Sequence, residues 1–252
     1  MRVDRRVGGS GLVFQAVPGW CRHCSRVFAS FATGGLSGRR RLVAVGIVVL
    51  AAAGASASVA ADQSSASASS RSLASTVLKA SQVDPGYRSE VIPGGQQVAG
   101  QVTLDLCYFT FPSESLRTAR LQEAYVKASS DPEISNEVVT YRGVGALDAL
   151  DELRLAVKSC PSTPRTGPTA GEQQPVTWHE TPLSVPHLTS EYVAVRQVAT
   201  GVVNGTKRSM TGFAIYQFNG STMSGVYGYG TNAAATLALT VHAAQQSARN
   251  LG

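Results

Sequence analysis

Three consecutive stretches near the C-terminus, Tyr192–Val203, Thr206–Phe218 and Ser221–Tyr229, are rich in β-branched and aromatic residues and alternate apolar with polar positions. They are separated by Asn204-Gly205 and Asn219-Gly220. Asn-Gly between two such runs is the strongest short hairpin signal, because a type I′ turn needs positive φ at both central residues. The pattern predicts a three-stranded meander. Two-residue loops would pair Val193/Tyr216/Met223, Val195/Ala214/Gly225, Gln197/Gly212/Tyr227 and Ala199/Met210/Tyr229 on one face, with Tyr227 over Gly212. The other face would carry Tyr192/Gln217/Thr222, Ala194/Ile215/Ser224 and Arg196/Phe213/Val226. That second face is half apolar and half polar, where a solvated face should be plainly polar. We expect it to be partly covered or to line a groove.

Elsewhere the helical period dominates. In "GVGALDALDELRLAVKSCP", Ala146, Leu150, Leu153, Val157 and Cys160 form one apolar stripe, which Pro161 ends. A last helix begins at Asn232 as N-cap, with Ala234, Leu237, Val241, Ala244 and Ala248 as its expected buried stripe. A short helix over Leu73–Ala80, with Ser72 as cap, and turns at Asp84–Tyr87 and Pro93–Gly95 precede them. Composition predicts strands over Val98–Phe111, Ser115–Ala128 and Glu137–Tyr141. Residues Pro161–Pro186 hold six of the eleven prolines and read as a long connection carrying Trp178, His179 and Glu180, with His187 just beyond. The expected class is α+β, a mostly antiparallel sheet including the C-terminal meander, flanked by helices.

Charge changes the picture of the other end. Residues 1–61 hold eight arginines and one acid, Asp4, whereas the rest hold fourteen basic and fifteen acidic residues. The overall charge of +6 therefore belongs to the N-terminal segment, and the remainder lacks the basic face that nucleic acid requires. Arg39-Arg40-Arg41, the apolar run Leu42–Ala53 and the small residues ending in Val59-Ala60-Ala61 have the order of a secretory signal. We expect 39–61 to be a signal peptide cleaved near Asp62. Its alternative is an uncleaved anchor over Leu42–Ala61, which would be the one membrane contact. Positive charge on the N-terminal side sends the C-terminal domain outward in both cases. Residues 1–38 read as a disordered extension or a start assigned too early, and 62–72 as a Ser/Ala linker to a domain over 73–251. Cys21 and Cys24 in the extension form a lone CxxC without a second ligand pair.

Candidate chemistry is sparse. The sequence holds no GxSxG, HExxH or P-loop motif, so we expect no catalytic residues, no metal and no cofactor. Gly143 and Gly145 are better read as a tight strand-to-helix turn than as a dinucleotide fingerprint, since Asp148 stands where the third glycine would. His179, Glu180 and His187 match no standard ligand spacing, and Tyr227-Gly228-Tyr229-Gly230 reads as strand packing. Beyond the linker the chain has two cysteines, Cys107 and Cys160. In an oxidising compartment we expect them to be disulfide-bonded, which closes a loop worth roughly 4 kcal/mol in the chain-entropy model. Strict alternation along a strand would set Cys107 opposite Leu104 and Leu106, which that pairing must accommodate by a bulge or a second covered face.

The stretches "LDLCYFTFPSESLRTAR", "SNEVVTYR" and "AVKSCP" resemble the exported sensor-like domains of actinobacteria, typified by the extracellular domain of mycobacterial serine/threonine protein kinase H. The resemblance spans about Leu73–Leu251. It implies an antiparallel sheet flanked by helices, a cleft for an unidentified ligand, disulfides, and no catalytic residues. Two departures stand out: the chain carries no kinase domain, and one cysteine pair stands where the kinase sensor has two disulfides. The expected function is an exported, non-catalytic ligand-binding or sensor-like domain of the cell envelope, its partner a small molecule or an envelope component. The alternative is an envelope structural or protein-interaction domain. Arg196, Phe213, Ile215, Gln217 and Val226 are the candidate ligand-binding residues, because a charge among apolar neighbours is costly to bury without a partner.

Overall fold

The computed structural model describes residues 73–128, 131–166, 174–203 and 206–252. The N-terminal extension with Cys21 and Cys24, the signal-like segment, the Ser/Ala linker, the Ser72 cap and the Asn204-Gly205 turn lie outside the described residues.

Seven strands make one antiparallel sheet in the order β1-β2-β3-β7-β6-β5-β4. They are β1 (Arg88–Val91), β2 (Arg117–Val126), β3 (Glu133–Tyr141), β4 (Val176–Pro182), β5 (Glu191–Val203), β6 (Thr206–Asn219) and β7 (Thr222–Tyr229). The α-helices that lie wholly within the described residues are α1 (Ala80–Val83), α2 (Gly145–Ser159) and α3 (Ala233–Leu251). The class is α+β, and β5–β7 form the meander. One sheet face packs against α2 and the segment before β2, through Val139, Val195, Ala214, Tyr216 and Met223. The other packs against α3 and the N-terminal segment, through Tyr125, Ile134, Ala194, Ile215 and Val226.

The β5–β6 register is the one expected, with Val193 opposite Tyr216 and Arg196 opposite Phe213. The β6–β7 register is not. Tyr216 pairs with Gly225 rather than Met223, and Gly212 with Tyr229 rather than Tyr227. The strands close at Asn219↔Thr222, so the two loop residues are Gly220 and Ser221. Gly220 takes φ +57, and Ser221 is not among the residues of positive φ, a combination of the II′ kind that needs glycine first. Asn219 is thereby kept in the strand, where its side chain donates to the carbonyls of Leu251 and Gly252 at the end of α3. Since the displacement is two residues, every side chain keeps its expected face.

The α2 stripe buries Ala146, Leu150 and Leu153 as expected. Helix α3 has its expected cap, Asn232 accepting from the Ala235 N–H at 3.1 Å. Its buried face, however, is Thr236, Thr240, Ala243, Ala244 and Ser247, while Ala234 is exposed and Leu237, Val241 and Ala248 are half-buried. The inward hydroxyls are paid for locally: Thr236 and Thr240 donate to the carbonyls four residues earlier, at 2.8 and 2.7 Å. Small side chains then let the helix lie close on the sheet.

Three further expectations are corrected. Leu73 is helical but 74–77 turn and bend away, and helix resumes only at Ala80. Val98–Phe111 is no strand: it has a single 3-10 turn at Leu106–Tyr108, with Cys107 and Tyr108 both at φ 55. Its β-like composition serves burial instead, for Leu104, Leu106, Cys107 and Phe111 are all core residues. The segment is held by the Glu114 carboxylate, which accepts from the N–H groups of Thr103 and Leu104. Within Pro161–Pro186, where no element was expected, lies the edge strand β4, whose Pro182 is tolerated because an edge position spares the ladder.

Candidate functional site

Strand β4 alternates strictly. Val176, Trp178 and Glu180 face inward and His179 and Thr181 outward, so an acid occupies a core position. Glu180 is 9% exposed and sits opposite Gln197 on β5. Gln197 Nε2 donates to Glu180 Oε1 at 3.3 Å. Glu180 Oε2 is buried without a hydrogen-bond partner among the described residues. Burial pushes this carboxyl up to about 8, against the lowering effect of the Gln197 hydrogen bond and with a smaller upward push from Asp105. At neutral pH the group is therefore mainly protonated, which is how a carboxyl tolerates such a site.

Beside it stands the cross-link. Cys107 and Cys160 are disulfide-bonded, with Cα atoms 5.6 Å apart. This joins the strand-free segment before β2 to the end of α2. The left-handed backbone at Cys107 turns the sulfur toward the core, so the alternation problem disappears together with the strand. Cys107 Sγ lies 3.7 Å from Glu180 Oε1. An oxidised sulfur has no proton to donate, so this is a contact of the neutral carboxyl with the cross-link. Trp178 closes the cluster, edge-on to Tyr108 with ring centroids 5.5 Å apart.

The polar interior continues along the same sheet face. Tyr216 and Tyr227 pack edge to face at 5.6 Å, and burial raises both phenols well above their ordinary range. Thr103 links this pair to a buried ion pair: its carbonyl faces the Tyr227 hydroxyl at 3.5 Å, and its Oγ1 donates to Glu137 Oε1 at 2.7 Å. Glu137 in turn accepts from Arg120 Nε, and both residues are almost fully buried. Arg120 also donates to the Gly94 carbonyl and the Gln122 side chain. This pair ties the loop after β1 to the sheet.

At the other end of α2 the same face opens to solvent. A groove of about 340 Å³ is walled by Val144, Ala146, Leu147 and Phe218 and floored by the β6–β7 turn, with Glu191 at its rim. Val144 is 63% and Leu147 59% exposed. Glu191 is held there by Arg154, at 2.8 Å.

The five expected ligand-binding residues do share one sheet face, but α3 covers most of it. Phe213, Ile215, Gln217 and Val226 are buried, and Gln217 Nε2 donates to the Ala244 carbonyl of α3 at 2.9 Å. Arg196 is exposed, next to Thr181 on the open part of the face, so the premise of a charge confined among apolar neighbours does not hold. His179 and Glu180 project to opposite faces of β4, and His187 is exposed in the following loop, so the three do not converge. Glu180 beside the disulfide was missed as a pair. Their meeting depends on the β4–β5 register, for which the sequence offers only the alternation of Val176, Trp178 and Glu180.

No family profile matches the chain, and no curated protein does. Among solved structures the chain is similar to the extracellular domain of PknH from Mycobacterium tuberculosis, at 11% identity and a TM-score of 0.44. The similarity covers 71% of this chain and 96% of that one. Overlap of this degree leaves the functional reading to the site itself.

Proposed function

We propose that the chain is an exported, non-catalytic ligand-binding or sensor-like domain of the cell envelope, and that the groove at the head of α2 receives its ligand. The groove carries the reading. It has the size of a small-molecule site and apolar walls, and it keeps Val144 and Leu147 in water, which a finished core would not. The fitting ligand is small and mainly apolar. Export is supported by the Arg39–Arg41 cluster followed by the apolar run Leu42–Ala53, and by a disulfide of the kind that persists in oxidising compartments.

Native mass spectrometry of the protein secreted by its own host tests this. A co-purifying small molecule is expected on the wild type and absent from Leu147→Glu, a change at an exposed position that leaves the core intact. Arg196→Ala is the companion variant. Ligand loss there, with retention by Leu147→Glu, would return the site to the opposite sheet face.

A second reading, an envelope structural or protein-interaction domain, is favoured by one observation. Leu155 is a further large apolar residue exposed on α2, about two turns beyond Leu147. A protein cross-linked through that helix, with no bound small molecule, would decide for it.

A further inference from the structure

One ligand from the sulfur of Cys107, one from Cys160 and one carboxylate oxygen from Glu180 lie within 4.8 Å of one another. We propose that these residues form a redox-gated site for a zinc-class divalent ion, closed while the disulfide stands and open once it is reduced. The binding groove plays no part in this site, which lies near the opposite end of α2.

Four observations support it. Two thiolates and a carboxylate are the donor types that zinc selects, and three protein ligands plus water complete a tetrahedron. Zinc–ligand bonds of about 2.0–2.3 Å place neighbouring donors about 3.7 Å apart, so donors already within 4.8 Å need only small side-chain movements. Glu180 is a buried carboxyl whose second oxygen has no partner among the described residues, a state that core packing alone does not explain. Gln197 donates to its first oxygen and so orients the group, the usual task of an outer-shell residue at a metal site.

The chemistry balances with a dithiol reductant. The dithiol supplies two electrons and two protons, the Cys107–Cys160 bond breaks to give two thiols, and the reductant closes its own disulfide. Half-buried Cys160 is the sulfur open to attack, and fully buried Cys107 is the leaving thiol. The ion then displaces three protons, two from the thiols and one from Glu180, and takes a water as its fourth ligand. A disulfide oxidant reverses the exchange: it takes the two electrons and leaves as its own dithiol, the Cys107–Cys160 bond re-forms, the ion departs, and Glu180 takes a proton back from water.

The test uses the full secreted chain, reduced with dithiothreitol, desalted without oxygen and titrated with cobalt(II), then zinc. Expected is one equivalent of cobalt with thiolate charge-transfer absorption and the visible bands of tetrahedral geometry, displaced by zinc. The oxidised chain should show neither, and zinc should raise the melting temperature of the reduced chain only. Glu180→Gln should keep the charge transfer but bind about tenfold more weakly or worse. A reduced wild type that takes no cobalt, folded or unfolded, overturns the proposal. So does a Glu180→Gln variant of unchanged affinity, since an unfolded cysteine pair would bind without regard to residue 180.

Discussion

Gly228 on β7 lies so close beneath Thr240 on α3 that a β-carbon built on it would stand 1.8 Å from Thr240 Oγ1 and 3.1 Å from its Cβ. The Tyr227-Gly228-Tyr229-Gly230 run is thus a seat for the helix. Its tyrosines face α2 and the cross-linked segment, and its glycines admit the threonines of α3.

The first prediction follows from that contact. Gly228→Ala should destabilise the domain by about 1–3 kcal/mol, because the helix must move or the side chains strain. Adding Thr240→Ala should recover part of the loss, since it removes the nearest atom. Denaturant unfolding of the single and double variants measures this. Independent, additive effects would show that the helix does not rest on this seat.

A second prediction concerns Arg120 and Glu137. Removing one member of a buried pair strands the other charge, so Glu137→Gln should cost about 3–5 kcal/mol. Replacing both, as Arg120→Met with Glu137→Leu, should cost less than the single change, because no buried charge remains. A double variant no better than Glu137→Gln would place the value of Glu137 in its hydrogen bond with Thr103 instead.

What was legible beforehand had periodicity behind it. The meander, the α2 stripe and the Asn232 cap each follow from one local rule, and the pairing of Cys107 with Cys160 followed from counting. The misreadings share a different cause, in that a distant partner overrode the local signal. Strand β4 was hidden because its third inward residue is Glu180, an acid in a core position. Segment Val98–Phe111 looked like a strand because its apolar residues are needed for the core, although its backbone bonds go to turns and to Glu114. The inward face of α3 was misplaced by about one residue, since threonines bonded to their own helix can be buried where leucines were expected. Asn219 was taken for a turn residue because nothing near it in sequence announces the end of α3. The covering of the expected ligand face has the same cause: where α3 lies decides that Phe213 and Ile215 are core and that Arg196 is not.

The third prediction concerns the cross-link and processing together. Peptide mapping of secreted protein without reduction should recover Cys107 and Cys160 in one linked species, and N-terminal sequencing should place the mature start near Asp62. Free thiol at both positions would contradict the geometry. A full-length, membrane-retained species would select the anchor over the cleaved signal.

The last prediction is a pH dependence carried by Glu133. This residue lies on β3 opposite Tyr229, is buried, and has its carboxyl pushed up from 4.5 to about 7, mainly by burial and secondarily by Glu90 on β1. Glu90 is itself paired with Arg88, at 2.7 Å, and the nearby Asp131 carboxylate is engaged by the Thr231 N–H at 3.1 Å. A carboxyl whose folded value exceeds its unfolded value binds its proton more tightly in the folded state. Its contribution is fully present below about pH 4.5 and is lost as pH rises to about 7. The loss is on the order of 3 kcal/mol. Glu133→Gln stays neutral throughout, so the stability of the wild type relative to this variant should fall across that window and level off above it. Urea unfolding of both proteins from pH 4 to pH 8 reads the difference, and titrating groups that do not interact with Glu133 cancel in the comparison. Parallel curves would mean that Glu133 reaches water or a cation in solution and titrates as an ordinary carboxylate.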